Sequence, residues 1–135
     1  MENEKIRIVI AEDNAQFLEA LLLMLGKNNQ YQVIDTCYNG IELVQACRAK
    51  KPDLIITDLN MPDMNGVDAI KQVRIIYPKI PVIALTMHFE SVVIQPIIDM
   101  GFNGYIYKPH VSKRLFTVIE RVLSKKIITN TGEYE

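Results

Sequence analysis

The sequence predicts a doubly wound α/β sandwich, in which helices cover both faces of a five-stranded parallel sheet with strand order 2-1-3-4-5. Short aliphatic runs alternate with longer stretches of helical spacing, which is the pattern of repeated strand–helix units. Two of the runs, LIIT at 54–57 and PVIAL at 81–85, are almost entirely apolar, as expected for strands covered on both faces. The length of 135 residues corresponds to about one domain.

The composition excludes several other classes of protein. Hydrophobic residues make up 49% of the chain and charged residues 23%, which argues against a disordered tail, a collagen-like fibre or a disulfide-stapled miniprotein. The longest apolar run, residues 20–25, is too short to span a membrane, and the N-terminal MENEKIR lacks the pattern of a secretion signal. A net charge of −1 gives no general attraction for nucleic acid.

Two cysteines bear on the cellular compartment. Cys37 and Cys47 are expected to be buried, reduced thiols rather than a disulfide, which is typical of a cytoplasmic chain.

Each predicted strand is rich in Ile, Val, Leu and Tyr and leads into a helix with a recognisable start. The strands are predicted at 6–11, 31–35, 54–57, 81–85 and 104–107. The first helix is capped by Asn14 and stops near Gly26, and its leucine stripe at 21–25 is expected to belong to the core. The second helix opens at Asn39 or Gly40.

The later helices are bounded in the same way, with one exception. The third helix opens at Gly66 and closes at Pro78, and the fifth begins near Ser112. Pro96 falls inside the fourth helix, where it removes a backbone hydrogen bond, so this helix either starts late, near Val93, or is kinked.

Acidic residues follow the two central strands of the predicted sheet. Glu12 and Asp13 follow the first strand and Asp58 follows the third, at the reversal of winding where open α/β sheets bind ligands. Three neighbouring carboxylates repel one another unless a cation is present, and Mg²⁺ suits such a site. The alternative is that Asp13 only caps a helix and Asp58 only caps a turn.

A hydroxyl and an ammonium end the remaining two strands. Thr86 and Lys108 supply the hydrogen bond and the positive charge that a phosphoryl group needs beside a metal ion. Taken singly, each is more often an ordinary strand-end residue. The Lys108–Pro109 bond is a candidate cis peptide, because cis bonds occur almost only before proline.

Four motifs carry a family resemblance: IVIAEDN, LIITDLNMPDMNG, VIALT and GYIYKP follow one another in this order. Residues 5–124 thereby resemble the receiver domain of a two-component response regulator, which has the flavodoxin-like or CheY-like fold. The resemblance implies that Asp58 is the phosphoacceptor and that Glu12 and Asp13 are the acidic pair at the Mg²⁺. It also implies that Asn60 lends a backbone carbonyl to the ion.

The resemblance further implies a switch. Thr86 and Lys108 contact the phosphoryl group, and Tyr105 is the aromatic residue that turns inward when Thr86 moves. The surface of helix four, strand five and helix five then repacks. Tyr105 and Tyr107 alternate along the last strand, so one is expected to face the switch surface and the other the helices.

Three residues beside the phosphoacceptor are expected to modulate the lifetime of the phosphoryl group. Asn60 and His88 stand two residues after Asp58 and Thr86, at positions that tune water attack in similar domains. Met87 is bulkier than the alanine or glycine that many similar domains carry there, and it either narrows access to Asp58 or simply lines the pocket mouth.

The resemblance also implies partners and domain limits. A sensor histidine kinase or a phosphotransfer protein, or a small phosphodonor, supplies the phosphoryl group, and phosphorylation promotes a homodimer. Residues 1–124 form the receiver domain, and 125–135 are a polar tail or the start of a linker. The domain itself is expected to contact neither membrane nor nucleic acid. The chain is either a stand-alone receiver or the N-terminal part of a transcription factor, which would bind DNA through a further C-terminal domain.

Two other classes of function compete with this interpretation. An aspartyl-phosphate phosphohydrolase usually has an acidic residue two positions after its nucleophile, where this chain has Asn60. An interaction module that works without phosphorylation would not need the complete set of site residues. A flavin-binding function is weaker still, because no Gly/Ser/Thr-rich loop follows the first strand.

Overall fold

The computed structural model describes residues 4–87 and 94–124. Their five strands and five helices alternate along the chain. The strands are β1 (Ile6–Ala11), β2 (Tyr31–Cys37), β3 (Leu54–Asp58), β4 (Val82–Thr86) and β5 (Gly104–Tyr107). The helices are α1 (Ala15–Gly26), α2 (Gly40–Lys50), α3 (Gly66–Ile76), α4 (Ile94–Asp99) and α5 (Val111–Leu123).

All strand pairs are parallel, and the sheet order is β2-β1-β3-β4-β5, which confirms the predicted topology. The strand limits differ slightly from the prediction. β2 continues to Cys37, because a register shift opposite Ile8 and Val9 adds a residue to this edge strand. Asp58 and Thr86 are the last residues of their strands rather than the first residues beyond them.

The sheet is buried between two apolar layers, as the nearly unbroken apolar runs predicted. Alternate strand residues point to opposite faces, so Val9 and Ile55 pack with α2 and α3, whereas Ile8 and Ile56 pack with α1 and α5. This double cover fixes the strands and leaves their carboxyl ends as the place where polar side chains gather.

Three helices begin with an asparagine cap. Asn14, Asn39 and Asn65 each accept a hydrogen bond from the backbone N–H three residues on, at 2.9, 2.8 and 2.8 Å. The predicted leucine stripe of α1 is split in the structure. Leu21 and Leu25 are buried, whereas Leu22 is 36% exposed, so the expectation that the whole stripe belongs to the core was wrong.

Pro96 is the third residue in the described part of α4. The sequence allows a late start or a kink, and the two differ at residues 88–93, which lie outside the described residues. His88 lies in the same segment. None of the helices in the described part of the chain has the length and hydropathy that crossing a membrane requires.

Two further expectations are settled by the backbone. The Lys108–Pro109 peptide is trans, so the cis expectation was wrong; Pro109 instead lies in a short 3-10 turn, Lys108–His110, where its fixed φ suits a helical start. Tyr105 and Tyr107, two residues apart on β5, lie on the same face and are both half-buried, so the expectation that they face opposite ways was wrong.

Candidate functional site

The two central strands end side by side and bring the acidic residues together. Ala11 and Thr57 are register partners of β1 and β3, so Glu12 and Asp58 follow at the same level. Glu12 is only 2% exposed and Asp58 7%, whereas Asp13 is half-buried. Ligand oxygens of these three carboxylates lie within 4.8 Å of one another. This spacing is what one small cation between them would need.

Lys108 reaches this acidic cluster from the end of β5. Its Nζ donates a hydrogen bond to Asp58 Oδ2 at 2.8 Å and lies 3.0 Å from Glu12 Oε1. Burial lowers the pKa of Lys108, but its hydrogen bond to Asp58 and the nearby negative charges of Asp58 and Glu12 outweigh this effect, so the net pKa is raised. The ammonium is therefore a permanent positive charge at neutral pH.

Glu12 is not fully satisfied by its neighbours. Its Oε2 accepts a hydrogen bond from the Asn14 backbone N–H at 2.9 Å. Its Oε1 is close to Lys108 Nζ but has no well-directed hydrogen-bond donor among the described residues. Burial raises the pKa of Glu12, and the charge of Asp58 adds to this, against the opposing effects of Asn14 and Lys108.

This donor set fits a divalent cation of the magnesium type. The ligands available are carboxylate oxygens on three residues, and one of them, Glu12 Oε1, is buried without a hydrogen-bond donor in the described part of the chain. Hard oxygen donors with room for water suit Mg²⁺ better than a transition metal. An ion would also offset the repulsion between Glu12 and Asp58 that raises the pKa of Glu12.

The backbone around Asp58 is held at a fixed place. The Thr57 hydroxyl donates to the Asp58 carbonyl oxygen at 2.9 Å, and the Asn60 N–H donates to Asp58 Oδ1 at 3.2 Å. Gly66 lies so close to the same carbonyl oxygen that any Cβ there would collide with it. The glycine at the start of α3 is thus required by this close approach and is more than the turn former that its sequence suggests.

Three further predicted residues lie at or just beyond the ends of β3 and β4. Thr86 is 2% exposed and lies one residue beyond Leu85, the register partner of Asp58. Met87 follows it and is 62% exposed at the rim. Asn60 is exposed in the loop after β3.

Tyr105 belongs to the apolar layer of α2 and α3 and pairs with Ala84 of β4, two residues before Thr86. His110 is exposed at the start of α5, with its ring 4.9 Å edge-on from that of Tyr107.

Phe17 is a neighbour of the site that the sequence did not reveal. The Lys108 ammonium lies 5.0 Å from the centre of its ring, within the range of a cation–π contact. The helical spacing of α1 identifies Phe17 only as an apolar residue, because the contact depends on how α1 packs beside β5.

Comparison with known proteins agrees with this fold. Residues 8–120 match the response regulator receiver domain, and the chain belongs to this family. Phosphorylation of an aspartate and control of an output are the function of the family.

The chain is 30% identical over 114 residues to the chemotaxis protein CheY of Thermotoga maritima, covering 84% of this chain and 95% of that protein. It is 31% identical over 122 residues to the transcriptional regulatory protein YdfI of Bacillus subtilis, covering 90% of this chain. The chain spans only 57% of YdfI and 54% of DegU from Brevibacillus brevis, about half the length of these transcriptional regulators.

Solved structures share the architecture. A LuxR-family response regulator from Aurantimonas superposes with a TM-score of 0.85 at 22% identity, over 92% of this chain and 89% of that one. The non-phosphorylated receiver domain of RcsB from Escherichia coli gives 0.84 at 21% identity, over 92% and 97%. At these identities the likeness concerns the fold.

Proposed function

We propose that Asp58 accepts the phosphoryl group in a Mg²⁺-dependent reaction and that the chain acts as a phosphorylation switch rather than as an enzyme with a substrate of its own. The observation that carries this proposal is the gathering of Glu12, Asp13 and Asp58 within 4.8 Å, with Lys108 bonded to Asp58. A nucleophilic carboxylate needs neighbouring positive charge before an anionic phosphoryl group can approach it.

Glu12, Asp13 and Asp58 would hold the ion, together with the backbone carbonyl of Asn60. When bound, Mg²⁺ supplies positive charge that offsets the charge of the incoming phosphoryl group. Lys108 supplies a second positive charge from the side of β5, and Phe17 limits where its ammonium can lie. Thr86 offers a hydroxyl at the level of the phosphoacceptor.

In the transfer, a carboxylate oxygen of Asp58 attacks the phosphorus of a phosphohistidine or a small phosphodonor. The new P–O bond forms as the bond to the leaving group breaks, and the leaving group keeps that electron pair. The resulting acyl phosphate is cleaved by water, which returns the carboxylate and inorganic phosphate. Lys108 offsets charge in both steps because its raised pKa keeps it protonated at neutral pH.

The signal would leave the site through Thr86 and Tyr105. The phosphoryl group adds negative charge and acceptor oxygens, towards which the Thr86 hydroxyl moves. An open depression of about 290 Å³ lies between Thr86, Asn60 and Ile97 of α4, so this side of the site has room for side-chain movement. Tyr105 then turns inward, and the α4–β5–α5 surface repacks.

Residues at the rim would set how long the phosphoryl group lasts. Asn60 and Met87 are exposed on two sides of Asp58, where they can affect the approach of water and of the phosphodonor. His88 is proposed for the same role from its sequence position alone.

We propose that the chain works in the cytoplasm, that its partner is a sensor histidine kinase or a phosphotransfer protein, and that a homodimer forms on phosphorylation. Residues 1–124 would be the receiver domain and 125–135 a polar tail or the start of a linker. The matched relatives YdfI and DegU are transcriptional regulators about twice as long as the matched region, which supports an output through DNA bound by a further domain.

The test is phosphate uptake from acetyl phosphate in the presence of Mg²⁺. Wild-type protein takes up label, and chelation of Mg²⁺ prevents it. Asp58→Asn keeps the shape and the hydrogen-bond acceptor of the side chain but removes the nucleophile, so it stays unlabelled. Full labelling of Asp58→Asn would contradict the assignment.

A further inference from the structure

The corner between β2 and α2 (residues 37–40) contributes no carboxylate to the acidic cluster. It nevertheless contacts both segments that contribute one. The Cys37 carbonyl oxygen accepts a hydrogen bond from the Glu12 N–H at 2.9 Å. Three residues on, the Gly40 N–H donates to the Met64 carbonyl oxygen at 2.7 Å, in the loop that follows Asp58. This corner therefore links the segment of Glu12 to the loop of Asn60.

Asn39 is the side chain that completes this link. Its Oδ1 caps α2 by accepting from the Glu42 N–H at 2.8 Å, and its Nδ2 donates to Asp63 Oδ2 at 3.0 Å. The Glu42 carboxylate in turn accepts from the Tyr38 N–H at 2.7 Å. Asn39 is 9% exposed, so both ends of its amide are committed in a nearly buried position.

The loop that Asn39 contacts, between β3 and α3, has little conformational freedom near Asp63. Asp63 has a φ of +67°, in the left-handed region that Asp and Asn tolerate better than most residues. Gly40 lies so close to the Met64 carbonyl oxygen that a Cβ would collide with it, so the two loops touch through their backbones. The loop geometry thus depends on a contact with another part of the chain as well as on its own sequence.

We infer that Asn39 is a positioning residue for the metal site. Its hydrogen bond to Asp63 holds the loop of Asn60 where the Asn60 backbone carbonyl can coordinate the cation. This inference rests on the proposed Mg²⁺-dependent function. Asp58 itself lies on β3, paired with Leu85 of β4, so its place is set by the sheet. Loss of the contact therefore weakens Mg²⁺ binding while leaving the nucleophile in place.

The decisive variant is Asn39→Asp, which keeps the oxygen that caps α2 but sets a carboxylate against Asp63. We expect isothermal titration calorimetry to show Mg²⁺ binding weakened by about tenfold, the scale seen when outer partners of a metal site are lost. This weakening goes against the simple effect of the added negative charge, which alone would favour a cation.

A double variant that restores the hydrogen bond between positions 39 and 63 gives a sharper test. Asn39→Asp combined with Asp63→Asn reverses donor and acceptor at unchanged net charge, and it restores wild-type affinity. Asn65→Asp is the matched control, because Asn65 also caps a helix beside the loop and gains the same charge; it binds Mg²⁺ no more weakly than wild type. In phosphorylation by acetyl phosphate, Asn39→Asp needs more Mg²⁺ for half-maximal rate but reaches a near-normal rate at saturation.

Asn39→Ser covers the case in which Asn39→Asp fails to fold. Serine caps a helix as well as asparagine does but cannot reach Asp63, so the same rise in the Mg²⁺ requirement is expected. Wild-type affinity in the single variants, or a double variant as weak as Asn39→Asp, would overturn the inference. Failure of wild-type protein to bind Mg²⁺ would instead count against the proposed function.

Discussion

Glu12 shows at the scale of one residue how function competes with stability. A carboxylate that is 2% exposed loses most of its hydration, and burial accordingly raises its pKa. Lys108 offsets part of this cost, yet Glu12 Oε1 lacks a directed donor within the described residues. A buried carboxylate that is only partly compensated stabilises the fold less than an apolar residue would, and the proposed role of Glu12 at the cation accounts for its presence.

The close contact between Gly66 and Asp58 predicts that a side chain at position 66 destabilises the fold. Gly66→Ala places a methyl group against the Asp58 carbonyl oxygen, so we expect the free energy of unfolding to fall by about 2 kcal/mol or more and phosphate uptake to drop with it. Gly26→Ala is the control, because its added Cβ meets nothing within 4 Å at the end of α1; it should be neutral or stabilising by about 0.5 kcal/mol. Urea unfolding of both variants measures the difference, and equal effects would refute the close approach.

The two buried thiols predict that the free energy of unfolding depends on pH. Burial raises the pKa of Cys37 and Cys47 from an ordinary value near 9 to about 12. The unfolded thiols ionise in alkaline solution before the folded ones do, so stability is unaffected at neutral pH and falls from about pH 9 to about pH 12. The loss is about 1 kcal/mol per pH unit for each thiol.

Comparison with Cys47→Ala isolates this effect. The variant lacks the Cys47 thiol and its contribution to the raised pKa of Cys37, so wild type should lose stability more steeply above pH 9 than the variant does. Parallel curves from urea unfolding at each pH would show that the thiol is not kept neutral by the fold.

At the scale of elements, Arg74 joins three segments at the amino end of the sheet. From the last turn of α3 it makes five hydrogen bonds, all to uncharged oxygens, in the α3–β4 connection and the segment after α4. The Gly101 carbonyl oxygen receives two of them, at 2.6 and 3.2 Å. Burial lowers the pKa of Arg74, although a guanidinium stays charged at neutral pH.

Arg74→Met should therefore reduce the free energy of unfolding by about 3 kcal/mol, because five hydrogen bonds from a charged group are lost. We also expect faster hydrogen exchange around Gly101. Arg48→Met, on the exposed last turn of α2, is the matched control and should change stability by less than about 1 kcal/mol. A loss for Arg74→Met no larger than for Arg48→Met would contradict the role of Arg74.

The elements differ in how far the sequence determines them. Apolar runs with helical stretches between them were enough for the sheet order, because doubly wound folds have few topologies. The cap at Asn14 and the start of α2 at Asn39 or Gly40 were predicted from local sequence, whereas the cap at Asn65 was not, because the third helix was expected to open at Gly66. The register shift in β2 and the exposure of part of the α1 leucine stripe depend on packing between elements, so local sequence could not predict them. The peptide before Pro109 has the trans form that most such bonds adopt.

The residues of the site also differ in how far the sequence predicts them. Glu12, Asp13, Asp58 and Lys108 could be predicted together because the ends of parallel strands meet at one edge of the sheet. The contacts of Phe17 with Lys108 and of Asn39 with Asp63 could not, because they join loops and helices whose relative placement no local pattern determines.

At the scale of the whole molecule, the two apolar layers and the polar strand ends have separate tasks. The layers hold the strands in register, and the strand ends assemble carboxylates that no single element could bring together. In the proposed function, a change at Asp58 would reach α4 and β5 through the side chains of Thr86 and Tyr105 while the sheet stays fixed.

The most direct measurement is to map the modified residue. Wild-type protein is treated with acetyl phosphate and Mg²⁺ and reduced with borohydride, which converts an aspartyl phosphate to homoserine, and its peptides are analysed by mass spectrometry. We predict homoserine at position 58 alone, and its absence when Mg²⁺ is chelated. Modification at another carboxylate, or equal modification at 58 without Mg²⁺, would contradict the account.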